Sequence, residues 1–265
     1  MSSAIALGPG ELALAAALVL VAGAVSLGLR LGLERKLAVA AVRTVVQLLL
    51  VGYVLTWVFS LDRLWVVALV FAAMVVTAGR AAVTRSSRRY RGAATHALVA
   101  LALSGLVTTV TVTGAVIGVD PWWRPQYAIP LLGMILGNSL TGISLCLDSL
   151  LAALDEGRDL VETELALGAT RWEAVREPLA EAVRRGMIPI LNAMTVVGLV
   201  SLPGMMTGQI LAGADPLDAV KYQIVVMFML AAASAMSAIV VALLVYRRMF
   251  NPRHQLERER IRRRP

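Results

Sequence analysis

The chain has one cysteine and two histidines among 265 residues, and only Lys36 and Lys221 of its 25 basic residues are lysine. The single thiol, Cys146, excludes an intrachain disulfide, and its apolar neighbours mark it as a buried, inert group. His96 and His254 are far apart in sequence, so no cage of imidazoles and thiolates can be read from spacing. Neither lysine lies in a Gly-x-x-x-x-Gly-Lys-Ser/Thr loop, which removes that route to ATP binding. Charge is scarce at 16% of residues, and aromatics make up 5%. The net charge of +8 is not arranged along a groove with interleaved aromatics, so it does not indicate a nucleic-acid partner.

Apolar residues are abundant, at 58% of the chain, which is too high for a soluble domain with polar faces. The expected fold class is all-α: a polytopic membrane protein of about seven transmembrane helices, with residues 1–265 forming a single transmembrane domain. Spans of the length that about 30 Å of hydrocarbon requires are predicted near 11–29, 37–59, 64–80, 93–118, 127–147, 187–211 and 222–246. The first charge is Glu11 and no basic run precedes it, so the first block reads as a retained span and not a cleaved signal.

Of the 25 basic residues, all but Arg43, Arg63, Arg124 and Lys221 fall on one set of alternate loops and on the C-terminal segment. The positive-inside rule places that set in the cytoplasm, with the N-terminus outside and the C-terminus inside. The opposite loops are short, and Trp122 and Trp123 suit an interfacial belt. The basic tail, 247–265, follows from topology alone, and contact with anionic lipid is its other reading.

One sizeable soluble segment is expected, the cytoplasmic loop 148–186. Gly168 ends or bends a helix there, and Thr170 with Glu173 three residues on forms a capping box for the next helix. Such a corner suits either a solvated helical hairpin or a surface gripped by a partner outside the membrane.

Polar residues inside the spans are the candidates for a translocation pathway. Arg43 lies about 9 Å into the second span, and Gln47 shares its helical face. Asn138, Thr141, Ser144 and Asp148 form a stripe on the fifth span, with Asn138 expected at a cavity and Asp148 at its cytoplasmic mouth. Gly133 and Gly137 form a Gly-x-x-x-Gly pair that favours close helix contact. Leu202 to Gln209 contains Pro203, Gly204 and Gly208 and reads as a broken helix, placing Met205, Met206 and Gln209 beside unwound backbone. The competing structural readings are snorkelling for Arg43, helix-packing glue for the stripe and gap filling for the methionines. Soft thioethers suit a soft metal better than ferric iron.

Glu162-x-x-x-x-Leu167-Gly168-Ala169 resembles the coupling-helix signature of ABC-transporter permeases, with Thr163 and Glu164 where that signature carries alanines. Five ordered blocks extend the resemblance over most of the chain: Val42 to Leu48, Gly133 to Ser139, Leu165 to Thr170, Gly198 to Gln209 and Ala219 to Gln223. Together they resemble the FetB-type permeases, the membrane half of a bacterial iron exporter, whose plant relatives act in aluminium tolerance. Thr141 departs from the asparagine expected in many relatives.

The resemblance implies a non-enzymatic transport subunit of the bacterial inner membrane that exports iron or a related metal. It implies a separate cytoplasmic ATPase that carries ATP and Mg, in an assembly of two permeases and two ATPases. It places the coupling role on Glu162, Glu164, Leu167, Gly168, Ala169 and Thr170 and identifies no metal ligand. The alternatives are an ABC permease for another solute, a gradient-driven carrier using Arg43 and Asp148, and a membrane scaffold.

Overall fold

A computed structural model describes residues 8–251, 253 and 255–263; His254 and Arg264 lie outside them. The chain is a helical membrane protein. In order it forms α1 (Pro9–Gly28), α2 (Glu34–Leu61), α3 (Leu64–Arg85), strand β1 (Arg88–Tyr90) and α4 (Ala93–Val110), which continues into a π-helical segment, Thr111–Val116. Then come α5 (Pro125–Glu156), α6 (Arg158–Ala166), α7 (Arg171–Val196), α8 (Gly204–Leu211), α9 (Pro216–Met249) and strand β2 (Ile261–Arg263). Six described helices are long and apolar enough to cross a membrane: α1, α2, α3, α4 with its π segment, α5 and α9.

The predicted sixth span, 187–211, is not one helix. α7 starts sixteen residues earlier, at Arg171, and runs unbroken to Val196. Charge at Glu177, Glu181, Arg184 and Arg185 hid this continuity from a hydropathy reading. In the folded chain those charges satisfy one another along an exposed face, with Arg184 3.1 Å from both Glu177 and Glu181 and Arg185 3.0 Å from Glu181. The break follows at Val197 to Pro203, where Gly198 has φ +83° and Ser201 pairs back to Val197. Met205, Met206 and Gln209 therefore sit in the helical segment α8, beyond the unwound turn.

α5 is the axis of the bundle. It packs against α3, α4, α7 and α9, and Ile143, Leu147, Leu150, Leu151 and Leu154 along it are fully buried. Its closest approach is to α7: a Cβ on Gly142 would stand 2.8 Å from the Gly186 carbonyl oxygen, and one on Gly186 2.9 Å from that of Gly142. Only glycine allows two backbones to meet this way. Among the described residues of this chain no helix backbone approaches closely at Gly133 and Gly137: nothing comes within 4 Å of a Cβ at Gly137, and the Met74 side chain reaches one at Gly133, at 3.4 Å. α1 and α2 pair with each other and stand largely outside this bundle. α2 meets α3 and α5 only sparsely, and Val58, near its C-terminus, is its one buried residue.

Candidate functional site

At the end of the bundle rich in basic residues, α6 and α7 meet at a sharp corner. α6 closes in a Schellman turn: Gly168 takes φ +94°, Ala169 N–H donates to the Glu164 carbonyl at 3.0 Å and Gly168 N–H to that of Leu165 at 3.1 Å. Two residues later Thr170 caps α7 through the predicted box. The Glu173 amide donates to Thr170 Oγ1 at 3.3 Å, and the Thr170 amide donates to Glu173 Oε2 at 2.7 Å. These bonds from Thr170 hold the Glu173 carboxyl below the usual carboxylate range. The corner is thus fixed by its own backbone and cap between Ala166 and Arg171.

Its outer surface is apolar although it lies beyond the ends of the spans. Leu167 is 83% exposed, Leu160 66% and Trp172 44%. Glu162 pairs with Arg158 at 2.6 Å on the exposed side of α6, and Glu164 is exposed beside it. The corner is also tied inward. The Trp172 ring meets the Tyr246 ring of α9 edge-on at 5.6 Å, and the Arg171 guanidinium lies over the Tyr246 ring, 5.7 Å from its centre. α7 then runs to the glycine crossing with α5. The corner therefore touches α9 directly and is joined to α5 through α7.

The segment predicted as a basic tail is a folded strap. β2 pairs antiparallel with β1, Arg88 opposite Arg263 and Tyr90 opposite Ile261, which joins the loop after α3 to the chain's last described residues. Arg258 donates to Asp155 at 2.8 Å, Arg88 Nε lies 3.5 Å from the same carboxylate, and Arg88 also pairs with Glu156. The Asp155 side chain is buried, at 7% exposure. Between this strap and the corner opens a cleft of about 1320 Å³, with Gly168, Ala169 and Thr170 on one wall and Arg253, Gln255 and Glu257 on another.

The six corner residues singled out from sequence thus lie together. The pathway candidates do not. Arg43 and Gln47 are exposed on α2, away from the bundle. Asn138 is half-buried on α5 and donates to the Met134 carbonyl at 3.0 Å. Asp148 receives the Ser87 amide at 3.0 Å and the Ser87 hydroxyl, so it holds the turn after α3. Met205 packs into a core cluster with Val226, Met227 and Leu230, whereas Met206 faces a pocket and the Gln209 side-chain oxygen is buried without a partner. Among the described residues no group of three His, Cys, Asp or Glu is placed to hold a metal.

Sequence reasoning missed Asp155, β2 and the Trp172–Tyr246 contact. A signal existed for the first: Asp155 continues the Leu147, Leu151 row at helical spacing and so shares their buried face.

Comparison with known proteins decides the family. A profile of an uncharacterised protein family, UPF0014, matches residues 9–250. The chain belongs to that family. It is 42% identical to the Synechocystis UPF0014 membrane protein slr1647 over 85% of this chain and 87% of that one. It is 35% identical to the probable iron export permease protein FetB of Escherichia coli over 93% of each. Against the protein ALUMINUM SENSITIVE 3 of Arabidopsis thaliana the identity is 36%, over 92% of this chain and 88% of that one. No solved structure gives a significant match. The resemblance read from five sequence blocks therefore extends over nearly the whole chain, and the chain is a multi-pass membrane protein of the UPF0014 family.

Proposed function

We propose that this chain is the membrane-spanning half of an ABC-type exporter for iron or a related metal, driven by a separate ATPase that grips the α6–α7 corner. The observation that carries the reading is the corner itself: exposed Leu160, Leu167 and Trp172 beyond the ends of the spans, on a turn fixed by a Schellman motif and a capping box. Exposed apolar groups on a rigid, polar-rimmed turn mark a protein contact. The contacts to Tyr246 and the Gly142–Gly186 crossing give the corner a mechanical route into α9 and α5. Glu162, Glu164, Leu167, Gly168, Ala169 and Thr170 are then the coupling residues, and ATP with Mg belongs to the partner. The basic end faces the cytoplasm of a bacterial inner membrane, with the N-terminus outside. Metal cargo and outward direction follow from the name of the E. coli relative.

Motor subunits working in pairs require two copies of this chain. The unburied α2, with Arg43 and Gln47 on it, is the face left for the second copy. A polar pair at membrane depth on a face that meets nothing in its own bundle calls for a protein neighbour more than for lipid.

The test is co-purification of a cytoplasmic ABC-type ATPase with this chain from cells that express it. Gly168→Pro removes the αL corner and the Gly168 amide hydrogen bond, and Leu167→Asp places charge on the apolar tip. Both variants should insert normally, lose the ATPase on co-purification and lose metal efflux from cells. Undiminished capture by both variants would refute the docking assignment. A gradient-driven carrier would tolerate both changes.

A further inference from the structure

At the end of the bundle opposite the corner, the last turn of α7, α8 and the first turns of α9 line an open pocket of about 350 Å³. Three thioether side chains line it, Met194, Met206 and Met227, one from each helix. Gln223 lines it as well, one turn before Met227 on α9. Gln223 is 6% exposed, and its side-chain oxygen is buried with no hydrogen-bond partner. A buried amide oxygen left unpaired costs about 1–3 kcal/mol, and a ligand of positive character seated beside Gln223 would relieve that cost.

The chemistry of the wall selects that ligand. Every lining residue is neutral. A divalent cation would give up its hydration shell here with no carboxylate to offset either charge, whereas a monovalent ion loses far less. Thioether sulfur is a soft donor and prefers soft ions, which excludes sodium, magnesium and ferric iron as the matched guests. Methionine has three rotatable side-chain bonds and can converge on an ion after it arrives. Met194 and Met227 share the adjoining core cluster with Met134 and Met187, but Met134 and Met187 do not line the opening, whereas Met194, Met206 and Met227 do. The three that reach the opening come from three different helices and share it with the Gln223 side chain.

We propose that this pocket binds a soft monovalent cation of the Cu(I) and Ag(I) class, held by the sulfurs of Met194, Met206 and Met227 with the Gln223 oxygen completing the set. The site is independent of the coupling corner and of which ATPase, if any, engages it.

The experiment uses the full chain purified in detergent with Cys146→Ala as background, so that the lone thiol contributes nothing. Cu(I) is presented as its coloured bicinchoninate complex under reducing conditions, and loss of colour reads transfer to the protein. One equivalent per chain is expected, displaced by Ag(I) and unaffected by a hundredfold excess of Mg(II). Replacing Met194, Met206 or Met227 singly by leucine, a volume-conserving change, should weaken retention about tenfold each, and the triple variant about a hundredfold or more. Gln223→Leu should weaken it about tenfold, and the control pair Met134→Leu and Met187→Leu should leave it within about twofold. Should the triple variant fail to fold, the single variants carry the comparison. Equal retention by the pocket variants and the parent, or a loss in the control pair as large as theirs, overturns the site. Absence of any transfer to the parent chain does the same. ATPase capture measured on the same preparations separates that result from failure of the transporter reading.

Discussion

Gly142 and Gly52 both lie inside long apolar helices, and their surroundings are opposite. Around Gly142 the backbone of α7 is so near that a methyl group would collide with a carbonyl oxygen, while around Gly52 of α2 nothing comes within 4 Å. The same contrast separates the rest of the two regions. α5 and α9 bury a leucine- and alanine-rich seam, and the α1–α2 pair buries little more than Ser26 and Val58. Between apolar helices in lipid there is no water to expel, so association depends on shape fit and polar contacts. The bundle of α3, α4, α5, α7 and α9 has that fit within one chain, and α2 does not. Its fit is to be sought in another copy.

The largest expected effect tests that inference. With Cys146 replaced by alanine, a cysteine at position 47 should cross-link most of the chain into covalent dimers in membranes, whereas a cysteine at the exposed Val99 of α4 should not. Both positions giving monomer would remove the α2 face from the dimer proposal and leave it covered by lipid.

A second measurement sharpens the contrast in energetic terms. Gly142→Val forces a branched side chain against the Gly186 carbonyl and should cost upward of about 3 kcal/mol, read as loss of thermal stability in detergent. Gly52→Ala should be neutral or should stabilise by up to about 1 kcal/mol, because it improves helix propensity in open space. Equal costs at the two positions would mean that α2 is packed as tightly as α5.

The strap marks a third kind of contact, polar and outside the spans. Asp155→Asn removes the shared anion of Arg88 and Arg258. Because Arg88 keeps Glu156 and Arg258 is half exposed, the expected cost is about 1–2 kcal/mol, not the larger figure for an isolated buried pair. Release of β2 should appear as faster trypsin cleavage at Arg258 or Arg260, and an unchanged cleavage pattern would show that the strand pairing holds the strap without the ion pairs.

These regions differ also in how far the sequence reveals them. The corner was legible because its determinants are local: Gly168, Thr170 and Glu173 fall within six residues and act on their own backbone. The helical membrane class was legible from long apolar runs. The Gly142–Gly186 crossing was not, since spacing within one helix does not say which face meets which neighbour, and within this chain the close contact falls at Gly142 and not at the Gly133–Gly137 pair. β2 escaped for a related reason. Its partner β1 lies about 170 residues away, and a run of arginines has no strand propensity that would announce the pairing. The join between corner and membrane was hidden because α7 alternates charge on one face with Val175, Ala182 and Ile190 on the other, an amphipathic pattern that averages to a polar segment.

The smallest expected effect returns to the corner and concerns acidity. Glu173 is ionised in the capping box, and the Thr170 hydrogen bonds lower its folded pKa below the ordinary value of 4.5. A depressed carboxylate contributes stability above its unfolded pKa, and that contribution is lost as pH falls through the folded value. Capping should therefore be intact from neutrality down to about pH 4.5 and weaken below it. The carboxylate is solvent-exposed, so the change should be local: faster amide exchange at Thr170 and Glu173, with no shift in global unfolding. Glu173→Gln should keep the box geometry and lose the pH dependence, while Thr170→Ala should speed exchange at neutral pH. If exchange in the parent chain shows no acid limb, the capping carboxylate does not fix this corner, and its rigidity rests on the αL turn at Gly168 alone.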